Sequence, residues 1–174
     1  MIHTRFDNGA AAELLLEIWQ RQCTNEGQGT LHDTHFPGVS MMGCNYEHRA
    51  GRGGGEIMQM DAGMSCTAAI QEMLLHTRRG VTHVFAGTPQ AWADVSFARM
   101  RTDGAFLVSA SRHKGRTEKL VIASLAGGVL QLANPWAGGV CVRYNDGKTK
   151  VLSGAVLAIP FSANATADLT AAAE

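Results

Sequence analysis

Two stretches in the first half of the chain repeat apolar residues at the three-and-four spacing of an amphipathic helix. Asp7 or Asn8 is placed to cap the first helix, which is predicted to end near residues 25–27. Its apolar stripe consists of Ala11, Leu14, Leu15, Ile18 and Trp19. The second helix is predicted over residues 64–78, with a stripe of Cys66, Ile70, Met73, Leu74 and Thr77, and with Arg78, Arg79 and Gly80 at its end. An amphipathic stripe needs another layer to pack against, so something beyond these two helices must cover them.

After residue 80 the helical period gives way to short segments in which apolar and polar residues alternate. These segments are "VTHVFA", "VSFARM", "AFLVSAS", "EKLVIAS", "GVLQLAN", "GVCVRY" and "AVLAIPF". Turn signals separate them about every 8 to 13 residues, which is typical of an antiparallel sandwich. The signals are Asp103-Gly104, Lys114-Gly115, Gly127-Gly128, Asn145-Asp146-Gly147 and Ser153-Gly154.

The change of period predicts an α+β protein with two parts. A helical segment is expected over residues 1–80, and an antiparallel β-sandwich domain over residues 81–174. The tail "SANATADLTAAAE" offers few side chains that could pack, so we expect it to fray beyond Asp168.

The composition is that of a globular chain with balanced charge. Of its 174 residues 45% are hydrophobic, and fifteen Lys and Arg balance fifteen Asp and Glu. No summed positive field attracts a phosphate backbone or an anionic membrane, so we expect neither nucleic acid nor membrane as a partner. The start of the chain carries no recognisable targeting signal. The cysteines are widely spaced, without a C-x-x-C pair, and are predicted to be free thiols.

A long Gly-rich segment over residues 28–57 separates the two predicted helices. A connection of this length is typical of a functional loop, or of a segment outside its normal context. It contains residue types that zinc accepts as ligands, namely His32, Asp33, His35, Cys44 and His48. Their irregular spacing matches no fixed site, so we predict no metal and no cofactor.

A collinear series of residues runs from the second helix into the first strands. It comprises Thr67, Ala68, Ile70, Glu72, Met73, Leu74 and Leu75, then His83, Pro89, Ala91 and Trp92, then Arg99, Arg101, Gly104 and Phe106. In order and spacing this series resembles glycoside hydrolase family 95, the 1,2-α-L-fucosidase family. The resemblance implies that the helical segment is the remnant of an (α/α)₆ barrel to which the β-sandwich is appended. It also implies a carbohydrate partner, an α-L-fucoside or a related sugar, and a parent protein of a kind that is often periplasmic or extracellular.

The stretch "MQMDAGMS", residues 58–65, is similar to the family's F-Q-I-D-G-N-F-G signature. The resemblance implies that Asp61 assists the attacking water and that Gln59 lies at the substrate. Inverting hydrolysis also needs a carboxylic acid on the opposite side of the sugar. No residue here corresponds to the family's acid glutamate, so we expect the chain to be inactive alone. An aspartate at a helix start is also a common N-cap, and both roles of Asp61 stay open.

Three tryptophans are the remaining candidates for sugar contact, because an aromatic face suits the C–H side of a pyranose. Trp19 and Trp92 are expected to pack in the core, which leaves Trp136, in the turn "ANPWAGG", as the best candidate for an exposed ring that contacts substrate. Two functions follow. The chain is either the C-terminal fragment or a reduced relative of a fucosidase-like hydrolase, or a stand-alone β-sandwich module that binds carbohydrate or protein. Uncovered helix stripes also predict a homo-oligomer.

Overall fold

The computed structural model describes residues 2–25, 29–30 and 60–172, with side chains over residues 2–20 and 63–172. It is mainly β, with a few short helices: α1 (Ile2–Arg5), α2 (Gly9–Cys23) and α3 (Met60–Leu74). The strands are β1 (Thr24–Asn25), β2 (Gly29–Thr30), β3 (Leu75–Arg78), β4 (Val81–Val84), β5 (Val95–Thr102), β6 (Phe106–His113), β7 (Arg116–Ser124), β8 (Gly128–Ala133), β9 (Val140–Tyr144), β10 (Thr149–Leu152), β11 (Val156–Phe161) and β12 (Thr166–Ala171). Over these ranges, no helix has the length and apolar character that a membrane span requires.

Two sheets enclose one hydrophobic core. Six strands form the first sheet in the order β10-β9-β12-β7-β6-β5, and four form the second in the order β11-β8-β4-β3. Neighbouring strands are antiparallel except β4 and β8, which are parallel. Leu120 and Ile122 of the first sheet and Leu132 and Ile159 of the second are fully buried in the shared core. The predicted β-sandwich-like fold is therefore confirmed, and the seven predicted segments overlap β4 to β9 and β11.

The start of α2 is as predicted. The side-chain oxygen Oδ1 of Asn8 accepts a hydrogen bond from the backbone N–H of Ala11 at 3.1 Å, which makes Asn8 the N-cap. Of the apolar positions of this helix, Ala12 is buried, whereas Leu14 and Leu15 are exposed. The helix therefore packs on the protein with a narrow face and leaves apolar side chains outside.

The predicted C-terminal end of the second helix is wrong. It was expected to continue to residue 78, but α3 ends at Leu74 and the next four residues form β3. The reason is a tight turn, because Arg79 and Gly80 both adopt positive φ, at 52° and 75°. Two successive residues with positive φ are typical of a type I′ hairpin turn, whose twist matches that of the flanking strands. The predicted domain boundary at residue 80 falls inside this hairpin.

The hairpin β3–β4 joins the second sheet and has two different faces. Its inner side chains include Leu75 and Val84, which pair across the strands and belong to the core. Its outer side chains include His76 and His83, which also pair directly. Because successive side chains of a strand point to opposite faces, the two histidines lie side by side outside the core.

The predicted fraying of the C-terminal tail is also wrong. β12 lies inside the six-stranded sheet, where it pairs with β7 on one side and β9 on the other. Ala167 is 1% exposed and Leu169 is 0% exposed. Small side chains do not prevent pairing here, since a central strand satisfies its backbone groups on both sides. Elsewhere in the described part, Cys66 and Cys141 are half-buried free thiols, as predicted.

Candidate functional site

Two histidine rings are stacked on the outer face of the β3–β4 hairpin. The ring centroids of His76 and His83 are 5.0 Å apart and the ring planes differ by 7°. The register of the hairpin places these residues directly opposite one another, so the backbone itself brings the two side chains together.

The two nitrogens of His76 have different surroundings. Nδ1 lies 3.0 Å from the carbonyl oxygen of Glu72, in the last turn of α3. Because a carbonyl oxygen only accepts, this contact puts a proton on Nδ1 and leaves Nε2 of the neutral ring with a free lone pair. His76 is 5% exposed, and its buried Nε2 has no hydrogen-bond partner within the described ranges.

Asp7 approaches the histidines from the turn that follows α1. Its φ is 58°, in the left-handed region that Asp adopts more readily than most residues, and its N–H donates to the carbonyl oxygen of Thr4 at 3.0 Å. Nη2 of Arg78 contacts Oδ2 of Asp7 at 3.3 Å, and Nη1 of the same guanidinium donates to the carbonyl oxygen of Arg5. Asp7, His76 and His83 each offer one ligand atom, and these three atoms lie within 4.8 Å of one another.

The surroundings of His83 favour its neutral form. Its pKa lies below the ordinary value of 6.5, first because the ring is partly buried, then because His76 and Arg78 disfavour a further positive charge, while Asp7 acts in the opposite direction. A neutral imidazole has a lone pair that can accept a hydrogen bond or bind a metal. The cluster therefore brings together two imidazole rings and one carboxylate.

A second feature is a groove beside the loop that carries Trp136. Asn134 holds this loop with both ends of its amide. Nδ2 donates to the carbonyl oxygens of Gly138 and Gly154, each at 3.0 Å, and Oδ1 accepts the N–H of Trp136 at 3.0 Å. The loop conformation is thus fixed by the hydrogen bonds of one half-buried amide.

Trp136 lines this groove and is half-buried, rather than exposed as its position in a turn suggested. Its indole Nε1 donates to the carbonyl oxygen of Thr117 at 2.8 Å, and the ring packs against the core. The groove has a volume of about 1140 Å³, and its lining also includes His83, Arg112 and Arg116. The side chains available there are an aromatic ring and hydrogen-bond donors, the groups that contact sugar C–H faces and hydroxyls.

A second, smaller groove of about 380 Å³ opens between the helices. Its lining is largely apolar and includes Leu15, Leu16 and Trp19 of α2 and Ala69 and Met73 of α3. Cys66 also lines it, and partial burial raises the pKa of this thiol. Such a surface suits an apolar side chain from another helix better than a polar substrate.

The predicted site residues have different outcomes. The backbone of Asp61 lies in the first turn of α3, whereas its side chain is outside the described ones. Gln59 also lies outside the described residues. So do the loop residues of types that zinc accepts, namely His32, Asp33, His35, Cys44 and His48. Trp19 and Trp92 are half-buried.

Sequence reasoning missed the cluster of Asp7, His76 and His83. A signal existed for the two histidines, because they stand at equal distances from the Arg79-Gly80 turn in "HTRRGVTH". A hairpin with a two-residue turn there places them opposite one another. The sequence carries no local signal for Asp7, which reaches the pair only through the packing of α1.

The comparisons with known proteins give no match: no protein-family model matches the chain, and no curated protein matches it. Arguments about function therefore start from the residues and contacts described above.

Proposed function

We propose that the chain is the C-terminal part of a fucosidase-like glycoside hydrolase resembling family 95, in which α2 and α3 are the last helices of a barrel. The observation that carries the proposal is the outward apolar face of α2. Leu14, Leu15 and Ile18 are 58%, 51% and 45% exposed. A helix with apolar residues on an outer face belongs in a larger body, where another helix covers it.

The groove between the helices supports the same proposal. It is lined by both α2 and α3, so a neighbouring helix could insert a side chain between them. In a barrel of paired helices each pair packs against the next by such contacts. The β-sandwich, with its own core, then follows the helices as an appended domain.

The proposed chemistry assigns Asp61 to the base side of an inverting reaction. Such a reaction uses two carboxyl groups about 6.5 to 9.5 Å apart, one protonating the leaving oxygen and the other assisting water. In this proposal Asp61 supplies only the second role, from the N-terminal turn of α3. The proton donor comes from upstream helices, and the chain alone is inactive.

Activity assays test this proposal. The chain alone should not hydrolyse an aryl α-L-fucoside above the uncatalysed rate. In a longer protein that includes the upstream helices, Asp61→Asn should preserve folding and lower kcat by about 10² to 10⁴. Turnover by the chain alone that disappears in Asp61→Asn would contradict the missing-acid argument, and full activity of Asp61→Asn in the longer protein would contradict the role of Asp61.

The coding sequence upstream provides an independent test. The proposal expects paired amphipathic helices that carry a candidate acid glutamate. An in-frame stop immediately before these residues would instead favour the second candidate function, a stand-alone module.

The groove at Trp136 favours that second candidate, a β-sandwich module that binds carbohydrate. Titration with fucosylated oligosaccharides, followed by NMR, should then shift resonances around Asn134 and Trp136, and Trp136→Ala should remove the binding. Trp92→Phe is the matched control, since Trp92 does not line this groove. Resonances that stay unchanged at millimolar sugar, or binding that survives in Trp136→Ala, would exclude this groove as the site.

A further inference from the structure

We propose that Asp7, His76 and His83 form a binding site for a divalent transition-metal ion, and that Zn²⁺ is the ion this ligand set suits. Two imidazole nitrogens and one carboxylate oxygen are ligands that zinc accepts, whereas Mg²⁺ and Ca²⁺ prefer oxygen ligands alone. The inference is independent of the proposed function, because it rests only on the contacts of these three side chains.

The buried nitrogen of His76 is the first argument. Leaving a buried polar atom without a partner is costly, and Nε2 of His76 has none in the part of the chain that the structure describes. Its other nitrogen donates to the carbonyl oxygen of Glu72 at 3.0 Å. A histidine that binds metal through one nitrogen is usually oriented in this way through the other. A bound ion supplies the missing partner for Nε2.

The positions of the three ligand atoms are the second argument. They lie within 4.8 Å of one another. In a tetrahedral zinc site with ligands at 2.0–2.1 Å, neighbouring ligand atoms are about 3.3 Å apart. The atoms must therefore approach one another by about 1.5 Å at most. Asp7 is exposed and His83 half-buried, so these two side chains can move towards the fixed ring of His76.

Arg78 shapes the site without filling it. Its guanidinium contacts Oδ2 of Asp7 at 3.3 Å, and a carboxylate has two oxygens, so Asp7 can contact Arg78 and an ion at the same time. The positive charge of Arg78 weakens the attraction of a cation, and the negative charge of Asp7 offsets it. Three protein ligands leave a fourth tetrahedral position for water.

A metal at this position would fasten the N-terminal helical turn to the sandwich. Asp7 follows α1, and the two histidines lie on the hairpin β3–β4, so the ligands come from parts of the chain far apart in sequence. An ion that binds only the folded state raises its stability in proportion to the logarithm of the metal concentration. We therefore expect Zn²⁺ to raise the thermal unfolding midpoint progressively, and Mg²⁺ to have no such effect.

Calorimetric titration of the whole chain with Zn²⁺ tests the site, using Asp7→Asn and His83→Gln as variants. Each variant should bind the ion at least tenfold more weakly, and the zinc-dependent rise of the midpoint should disappear. Asp7→Asn keeps an oxygen for Arg78, and circular dichroism checks that both variants are folded. His113→Gln is the matched control, because His113 also contacts a carboxylate, that of Asp94, but at an exposed position away from the hairpin.

A second measurement, on the unaltered protein, separates this site from thiols and from other histidines. The ¹⁵N resonance of Nε2 of His76 should move when Zn²⁺ is added. Absence of saturable zinc binding, an unmoved His76 resonance, or equal affinity in wild type, Asp7→Asn and His83→Gln would each overturn the proposal. Equal weakening in His113→Gln would overturn it as well.

Discussion

A forked ion pair between Arg5 and Glu72 attaches the first helical turn to α3. Nη2 of Arg5 lies 2.5 Å from Oε1 of Glu72, and Nε lies 3.1 Å from Oε2. The hydrogen bonds from Arg5 lower the pKa of Glu72 below its ordinary value of 4.5. The stabilisation is therefore fully present above pH 4.5 and is lost as the pH falls through the lower pKa of the folded state.

Glu72→Gln should remove this pH-dependent contribution. Because Arg5 is half exposed and the pair is screened, we expect the free energy of unfolding at neutral pH to fall by at most about 1 kcal/mol. Below pH 4.5 the difference from wild type should shrink. Urea unfolding across this pH range measures both effects, with Glu118→Gln on an exposed position of β7 as the control. A constant difference at all pH values would contradict the assigned ion pair.

The predictability of single residues depended on how far away their partners lie. Asn8 could be predicted as a cap because the N–H that it accepts belongs to Ala11, within the same turn. Asp7 could not be placed beside His83, because only the packing of α1 on the hairpin brings them together. The catalytic role of Asp61, like the position of Asp7, depends on partners from other helices, and it stays a prediction.

The β3–β4 turn requires a positive φ at Gly80, whereas no such φ is required at Gly138. Gly80 has a φ of 75°, and a Cβ added there would meet no atom within 4 Å. Gly80→Ala should therefore lower the free energy of unfolding by about 1 kcal/mol, from backbone strain alone. A Cβ added at Gly138 would also meet no atom within 4 Å, but Gly138 lacks such a φ. Gly138→Ala should therefore change the free energy of unfolding by less than about 0.5 kcal/mol. Denaturant unfolding of both variants measures this, and equal effects would contradict the turn assignment.

Strand β12 should be essential to the sandwich. Leu169 is fully buried, so Leu169→Ala should lower the free energy of unfolding by about 2–5 kcal/mol. Leu125→Ala makes the same chemical change at a position that is 44% exposed, and should cost less than about 0.5 kcal/mol. Thermal and urea unfolding of the two variants compare them directly. A small effect at Leu169 would mean that the tail frays, as its composition suggested.

Among the elements, strands with a clear alternation were predictable and the others were not. The seven segments after residue 80 were found because alternating side chains are a local pattern. β3 was hidden because Leu75 continues directly from Leu74 of α3, so its first residues fit the helical spacing. β12 was hidden because it has few large apolar side chains, and only its pairing with β7 and β9 places it inside the sheet.

For the whole molecule, the sequence predicted a sandwich of two sheets but not the order of the strands within each sheet. β12 lies between β7 and β9 although it comes last in the chain, and β4 pairs in parallel with β8. Such pairings depend on contacts between distant segments, for which no local signal exists. The barrel origin of the helices likewise depends on segments distant from them in sequence, and it remains a proposal.

The exposed face of α2 leads to a final prediction, that the chain associates with itself or binds a hydrophobic dye. Leu14 and Ile18 are one helical turn apart on this face and are 58% and 45% exposed. Sedimentation should detect a dimer, because pairing two such faces removes apolar surface from water. The double variant Leu14→Glu with Ile18→Lys should be monomeric and bind less dye. Val151→Lys is the control, since Val151 is 66% exposed on the distant strand β10, and it should behave as wild type. A monomeric wild type that binds no dye would show that this face needs no cover, and would remove the main structural support for a missing helical layer.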